Sequence, residues 1–272
     1  MGKLCALWEW AAAAIRRLLW ANSLRSKSSL ACVGLVVLAG CFTLVIVPDE
    51  DDDGDRTFPR AFLPAVVIDA GHGGKDEGAK SRGVQEKILT LDVALRLERI
   101  LNRRGFPTIQ TRTDDVFVAL AERSNIANRV KGTAIFVSIH FNQDNGRESA
   151  GIETFYADVK VPPVNDWTWV GFFSRSEILD TGEELAAEVQ YAVILKTGAR
   201  DRGIRARHLY VTRHTRLPAI LVEGGFISNR MESTLLNEDH YAETLAEGIA
   251  NGIESWWRLH HKALPPVLAQ KP

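Results

Sequence analysis

The stretch VVIDAGHGGKDEGA, residues 66–79, runs an apolar strand-type segment ending in an acid, Asp69, directly into a turn that holds four glycines and one imidazole. Such a turn suits two purposes. Its glycines can wrap a phosphate, or His72 can be one arm of a metal site whose other arms lie elsewhere. Outward from this stretch the pattern alternates. Ala65–Asp69 reads as a short strand, and Glu86–Arg104 carries Leu89, Val93, Leu97, Ile100 and Leu101 at helical spacing before Gly105.

The alternation continues to the end of the chain. Thr108–Thr111, Ala134–Ile139, Gly151–Ala157, Leu209–Thr212 and Ala219–Val222 read as strands. Leu120–Val130 reads as a helix, as does a segment opening with Thr181 and Glu184 as a capping box and running through Lys196 to Gly198. Asp239 caps a last helix to about Leu259. Strands and helices in this order predict an α/β fold, a mainly parallel twisted sheet flanked by helices. Ligand sites in such sheets gather beyond the carboxyl ends of the strands. His72, His140 and Glu223 each follow one of these apolar runs.

The chemistry narrows by elimination. A phosphate loop of G-x-x-x-x-G-K-[ST] form fails, because Asp69 stands at the first glycine and Asp76 follows Lys75. A dinucleotide loop fails at the same Asp76, and Asp76 with Glu77 repels phosphate. There is no G-x-S-x-G and no H-E-x-x-H, and the three cysteines, Cys5, Cys32 and Cys41, all precede residue 50. A metal site of His and carboxylate ligands remains. His72 and His140 supply imidazoles, and Glu86, at the start of the helix after the glycine loop, is the candidate third ligand. Glu223 is the candidate carboxylate to move protons, with Gly224 and Gly225 leaving room for substrate. Arg112 and Arg123 read as structural ion-pair partners. Arg202 and Arg205 read equally as contacts to an anionic substrate or as a solvated face. His208, His214, His240, His260 and His261 read as surface residues.

Taken together, VVIDAGHGGKDEGA, GVQEKILTLDVALRL, TRTDD, LAERSNIAN, FVSIHFN, GIETFYA, RGIRARHLYVTR and PAILVEGGFISN resemble, in order, the zinc-dependent N-acetylmuramoyl-L-alanine amidases. The resemblance spans about Ala65 to Trp257. It implies a Zn2+ cofactor, with His72, Glu86 and His140 as metal ligands and Glu223 as the catalytic carboxylate. It implies hydrolysis of the amide joining N-acetylmuramic acid to L-alanine in peptidoglycan, in wall remodelling or daughter-cell separation. The alternatives are a zinc peptidase cutting within the stem peptide and a non-catalytic wall-binding regulator. Residues 158–180 fall outside the resembling stretches. In some relatives a segment here blocks the site until a partner removes it, which implies an activator protein. Trp167, Trp169, Phe172 and Phe173 then line the substrate, plug the site or pack on the body.

The front of the 272-residue chain is different. Residues 30–47, LACVGLVVLAGCFTLVIV, are uncharged and mostly apolar, preceded by Arg16, Arg17, Arg25 and Lys27 and followed by an acidic run. That predicts one N-terminal transmembrane helix with its N-terminus in the cytoplasm and the rest on the periplasmic or extracellular side. Leu38–Cys41 also has the form of a lipidation signal. Residues 1–29 form a cytoplasmic segment in which 4–21 reads as an amphipathic helix or a plain tail. Residues 48–64 are an acidic linker reaching at most roughly 60 Å, 65–260 a catalytic domain, and 261–272 a tail. The charge is balanced, 33 basic against 34 acidic residues, which argues against a nucleic-acid partner.

Overall fold

The structure, a computed structural model, describes residues 63–145, 148–157 and 169–260, with backbone only for 169–180. The expected N-terminal segment, the anchor at 30–47, the linker up to residue 62 and the tail lie outside the described residues, as do the side chains of the 158–180 segment. Among the described residues no helix is long and apolar enough to cross a membrane.

Six strands form one sheet. In chain order the elements are β1 (Ala65–Ala70), a small hairpin of β2 (Lys80–Ser81) and β3 (Val84–Gln85), α1 (Glu86–Arg103), β4 (Thr108–Gln110), α2 (Leu120–Asn128), β5 (Ala134–Asn142) and β6 (Ile152–Tyr156). There follow α3 (Trp169–Thr197), β7 (Asp201–Ala206), α4 (Tyr210–Arg213), β8 (Ala219–Phe226), α5 (Arg230–Leu236) and α6 (Asp239–His260). The spatial order is β4-β1-β5-β8-β6-β7. Neighbours are parallel except β6 and β8, which run antiparallel. The mainly parallel α/β sheet expected from the alternation is what the chain forms.

Near-continuous apolar strands follow from burial on both faces. Val66, Ile68, Ile135, Val137, Ile139, Ile220 and Val222 pack into the larger core with α1, α3 and α6. The alternate residues Val67, Phe136, Leu221 and Phe155 point the other way, into a smaller cluster with Ala127 of α2 and Val211 of α4. The two-residue period of a strand then assigns His140 to the side of Phe136, and Glu223 and Glu153 to the side of Leu221 and Phe155. All three lie on the thinly covered face.

Helices α3 and α6 cross closely because α6 carries glycines where α3 approaches. A Cβ on Gly252 would stand 2.4 Å from Val189 Cα, and one on Gly248 2.8 Å from Val193 Cα.

Three local expectations are corrected. Leu209–Thr212 is not a strand: 210–213 form the short helix α4. Its apolar run is too short for periodicity to separate strand from helix. Thr181 and Glu184 do not start a helix, since α3 runs through them from Trp169. Gly224 leaves no room for substrate. A Cβ there would meet Leu245 Cδ2 at 2.6 Å and Phe141 Cε1 at 2.8 Å, so this glycine admits core side chains.

Candidate metal centre and catalytic carboxylate

Three segments converge at the carboxyl end of β1 and β5. His72 lies two residues past β1. Its backbone is left-handed, with φ of 60°, a conformation that costs a non-glycine residue on the order of 1–3 kcal/mol. Two buried arginines hold the segment that leads into it. Arg123 Nη2 donates to the His72 carbonyl at 2.5 Å, and its Nη1 to the Ala70 carbonyl and to Asp69 Oδ1. Arg112 donates to the carbonyls of Ala70, Gly71 and Lys87. Arg123 is thus an ion-pair partner, as expected, whereas Arg112 clamps backbone carbonyls.

Glu86 opens α1. The β2–β3 hairpin turns through Arg82 and Gly83, both at positive φ, and carries the helix start back to the strand ends. Burial alone would raise the Glu86 carboxyl, but hydrogen bonds to His140 and His72 hold it well below the usual range, so it stays ionised. Its oxygens also accept the backbone N–H of Ala79 at 2.8 Å and of Phe141 at 3.0 Å.

His140 is not beyond its strand but within it, seventh of nine residues in β5. Glu223 likewise lies inside β8. His140 is near the carboxyl end of β5, whereas Glu223 is fifth of eight residues in β8 and reaches the site because β8 pairs in register with β5 at His140, so the strand-end expectation fails for Glu223.

His72 Nε2 is 3.1 Å from Glu86 Oε2, and His140 Nδ1 is 2.9 Å from Glu86 Oε1. One donor atom from each residue lies within 4.8 Å of the others. Ligands about 2.1 Å from a tetrahedral zinc stand roughly 3.4 Å apart, so the donor set and its spacing fit that ion. Close approach of backbone permits this. A Cβ on Gly71 would fall 2.4 Å from the His140 ring, and one on Gly78 2.6 Å from Glu86 Oε2.

Asp76, within the opening stretch, has a function the sequence did not signal. Its Oδ1 takes a hydrogen bond from His72 Nδ1 at 2.9 Å, which leaves Nε2 directed at the centre. Burial lowers the His72 pKa, but Glu86 and Asp76 outweigh it and raise it.

Glu223 pairs in register with His140 across β5–β8 and with Glu153 across β6–β8. Its Oε2 is sealed from solvent and has no hydrogen-bond partner among the described residues. Burial pushes its pKa from 4.5 up to about 7, His140 opposes this, and Glu86 and Glu153 add to it. A carboxyl tuned to neutral pH beside a His–Glu–His group that could hold a metal ion is equipped to take and return a proton. The only signal for Glu153 in the sequence is an acid inside an otherwise apolar strand, GIETFYA.

Residues 66–255 match the family model described as N-acetylmuramoyl-L-alanine amidase. The chain belongs to the N-acetylmuramoyl-L-alanine amidase family. It is therefore a hydrolase of the amide between N-acetylmuramic acid and L-alanine in cell-wall peptidoglycan. The endolysin of Bacillus phage SPP1 is 37% identical over 199 residues, 73% of this chain and 68% of that protein. Among solved structures, an N-acetylmuramoyl-L-alanine amidase from Clostridium difficile 630 superposes with a TM-score of 0.63 at 34% identity. It covers 74% of this chain and 98% of its own. The CwlD amidase from Clostridioides difficile, in complex with the GerS lipoprotein, superposes with a TM-score of 0.61 at 26% identity. The match covers 72% of this chain and 99% of that amidase.

Proposed function

We propose that this amidase works through a zinc ion held by His72, Glu86 and His140, with Glu223 as the proton-transfer residue. The observation that carries this is the convergence of the three donor groups next to a buried carboxyl in register with His140. When bound, zinc supplies Lewis acidity toward the substrate carbonyl and toward water. Arg123 holds the His72 carbonyl and Arg112 the carbonyls of Ala70 and Gly71 before it, Asp76 orients the His72 ring, and the Ala79 and Phe141 N–H groups orient Glu86. Glu223 accepts a proton from the attacking water and delivers it to the leaving L-alanine nitrogen. Its sealed Oε2 keeps that proton from bulk solvent.

In this reading residues 65–260 are the catalytic domain, tethered by 48–64 to an anchor at 30–47, and the domain works just outside the cytoplasmic membrane. The CwlD–GerS complex supports a partner protein for this chain as well. The test is to incubate the full chain with peptidoglycan, with and without chelator, and to identify products by mass spectrometry. Intact stem peptides with a free N-terminal alanine, lost with chelator and restored by zinc, are expected. Cleavage inside the peptide would move the assignment to a peptidase. No product under any condition would favour a wall-binding protein.

A further inference from the structure

The chain is electrically balanced overall, yet residues 199–216, ARDRGIRARHLYVTRHTR, hold six arginines against the single acid Asp201. Part of this run is β7, the strand at one edge of the sheet. The catalytic machinery absorbs none of it, but its position is specific. His140 on β5, Glu223 on β8 and Glu153 on β6 stand in register across the sheet, and on β7 Arg202, at the bulge beside Glu153, and Arg205, opposite Phe155, both reach the Glu153 carboxylate. β7 lies two strands from β8, so at about 4.8 Å per strand its backbone is roughly 10 Å from that of Glu223.

The arginines are only partly spent. Arg202 Nε lies 3.7 Å from Glu153 Oε1 and Arg205 Nε 3.5 Å from Glu153 Oε2, both beyond normal hydrogen-bond length. Glu153 Oε1 instead takes the Asn142 Nδ2 donor at 2.7 Å, while Glu153 Oε2 and Arg202 Nε have no hydrogen-bond partner among the described residues. Two guanidiniums thus face one carboxylate, with one positive charge in surplus. Packing has already positioned the Arg202 head, which lies 4.8 Å over the Phe226 ring. If these arginines served only to neutralise Glu153, they would be expected to close on it with a forked pair of short bonds.

We propose that Arg202 and Arg205 form the subsite for a free carboxylate of the stem peptide, on the residue after the scissile L-alanine. The proposal rests on the amidase reading above. That residue's carboxylate lies one extended residue from the cut amide, and an arginine side chain spans the remaining gap from β7. A planar carboxylate matches the guanidinium fork of the half-exposed Arg205 and the positive charge that Glu153 leaves over at Arg202, whose Nε is itself buried, while its amide does not carry the charge. Glu153 keeps the two heads apart and oriented, and it prevents this wall from being a general anion trap.

The experiment compares two soluble substrates cleaved by the full chain, N-acetylmuramoyl-L-alanyl-γ-D-glutamyl-L-lysine and its α-amide N-acetylmuramoyl-L-alanyl-D-isoglutaminyl-L-lysine, in both of which the γ-carboxyl is taken up in a peptide bond. They differ only in a carboxylate against a carboxamide. The wild type is expected to favour the acid by roughly 10- to 100-fold in kcat/KM, the size of charge-assisted hydrogen bonds. In Arg202→Gln and in the more exposed Arg205→Gln the ratio falls toward one, and in the wild type it falls as salt is raised. Equal cleavage of both substrates by the wild type overturns the proposal. So does an equal loss on both substrates in both variants, which is the mark of a structural role. If the wild type cleaves neither compound nor peptidoglycan, the amidase reading itself fails, and the subsite with it.

Discussion

Glu223→Gln in the metal-free protein separates the cost of a functional carboxyl from its use. Glu223 is held where its charged form is poorly solvated, its Oε2 sealed and without a hydrogen-bond partner among the described residues. Its pKa rises from 4.5 to about 7 on folding, by burial first, against His140, and with help from Glu86 and Glu153. The folded state therefore prefers the protonated form. Stability from this group is fully present below pH 4.5 and is lost as pH rises through about 7. The displacement corresponds to about 3 kcal/mol, at 1.36 kcal/mol for each pH unit between the two values. Glutamine keeps the shape without the charge. In chelator, urea denaturation of wild type and variant followed by circular dichroism between pH 4.5 and 8.5 reads the difference directly. The variant is expected to gain about 3 kcal/mol on the wild type across that range, while its hydrolytic activity is lost. A difference that stays flat with pH would refute the argument that this carboxyl is desolvated and unpaired.

Asp76→Ala removes the group that orients His72 Nδ1 and is expected to weaken zinc binding about 10- to 100-fold, measured by competition with a chromophoric chelator. Arg123→Met leaves buried Asp69 without its ion pair and frees the strained His72 carbonyl. It should cost about 3–5 kcal/mol by denaturant titration. Gly252→Ala drives a Cβ against the Val189 backbone, where neither helix can yield locally, and is expected to lose about 1–3 kcal/mol and lower the Tm.

The expected elements with strong apolar patterns form where they were expected. β1, α1, β5, β8 and α6 are all buried along at least one face, and burial imprints a period on sequence. β7 escaped notice because DRGIRA lies on the sheet edge, half-exposed with one partner strand, and carries no apolar run. Helix α3 escaped in part because it is long and runs without a break through an apparent cap at Thr181. At the site, His72, Glu86, His140 and Glu223 were nameable from residue type and motif. The groups that orient them were not. Asp76 looked like an obstacle to phosphate, and Arg112 like half of an ion pair. Hydrogen bonds from a guanidinium to backbone carbonyls leave no trace in the pattern of side chains.

What sequence alone determined is the kind of chemistry: imidazoles and carboxylates near the ends of apolar strands, no cysteine beyond residue 41, and no phosphate loop. What tertiary structure decided is which of those groups meet. His72 and His140 are far apart along the chain, and they converge because β1 and β5 lie parallel with Asp69 opposite Ser138. Strands buried on both faces permit no slip, since one residue of register would turn every core side chain to the wrong face. The same register sets Glu223 between His140 and Glu153 and puts the arginines of β7 beyond them. No local rule of sequence contains that row, because it runs across the strands and not along them.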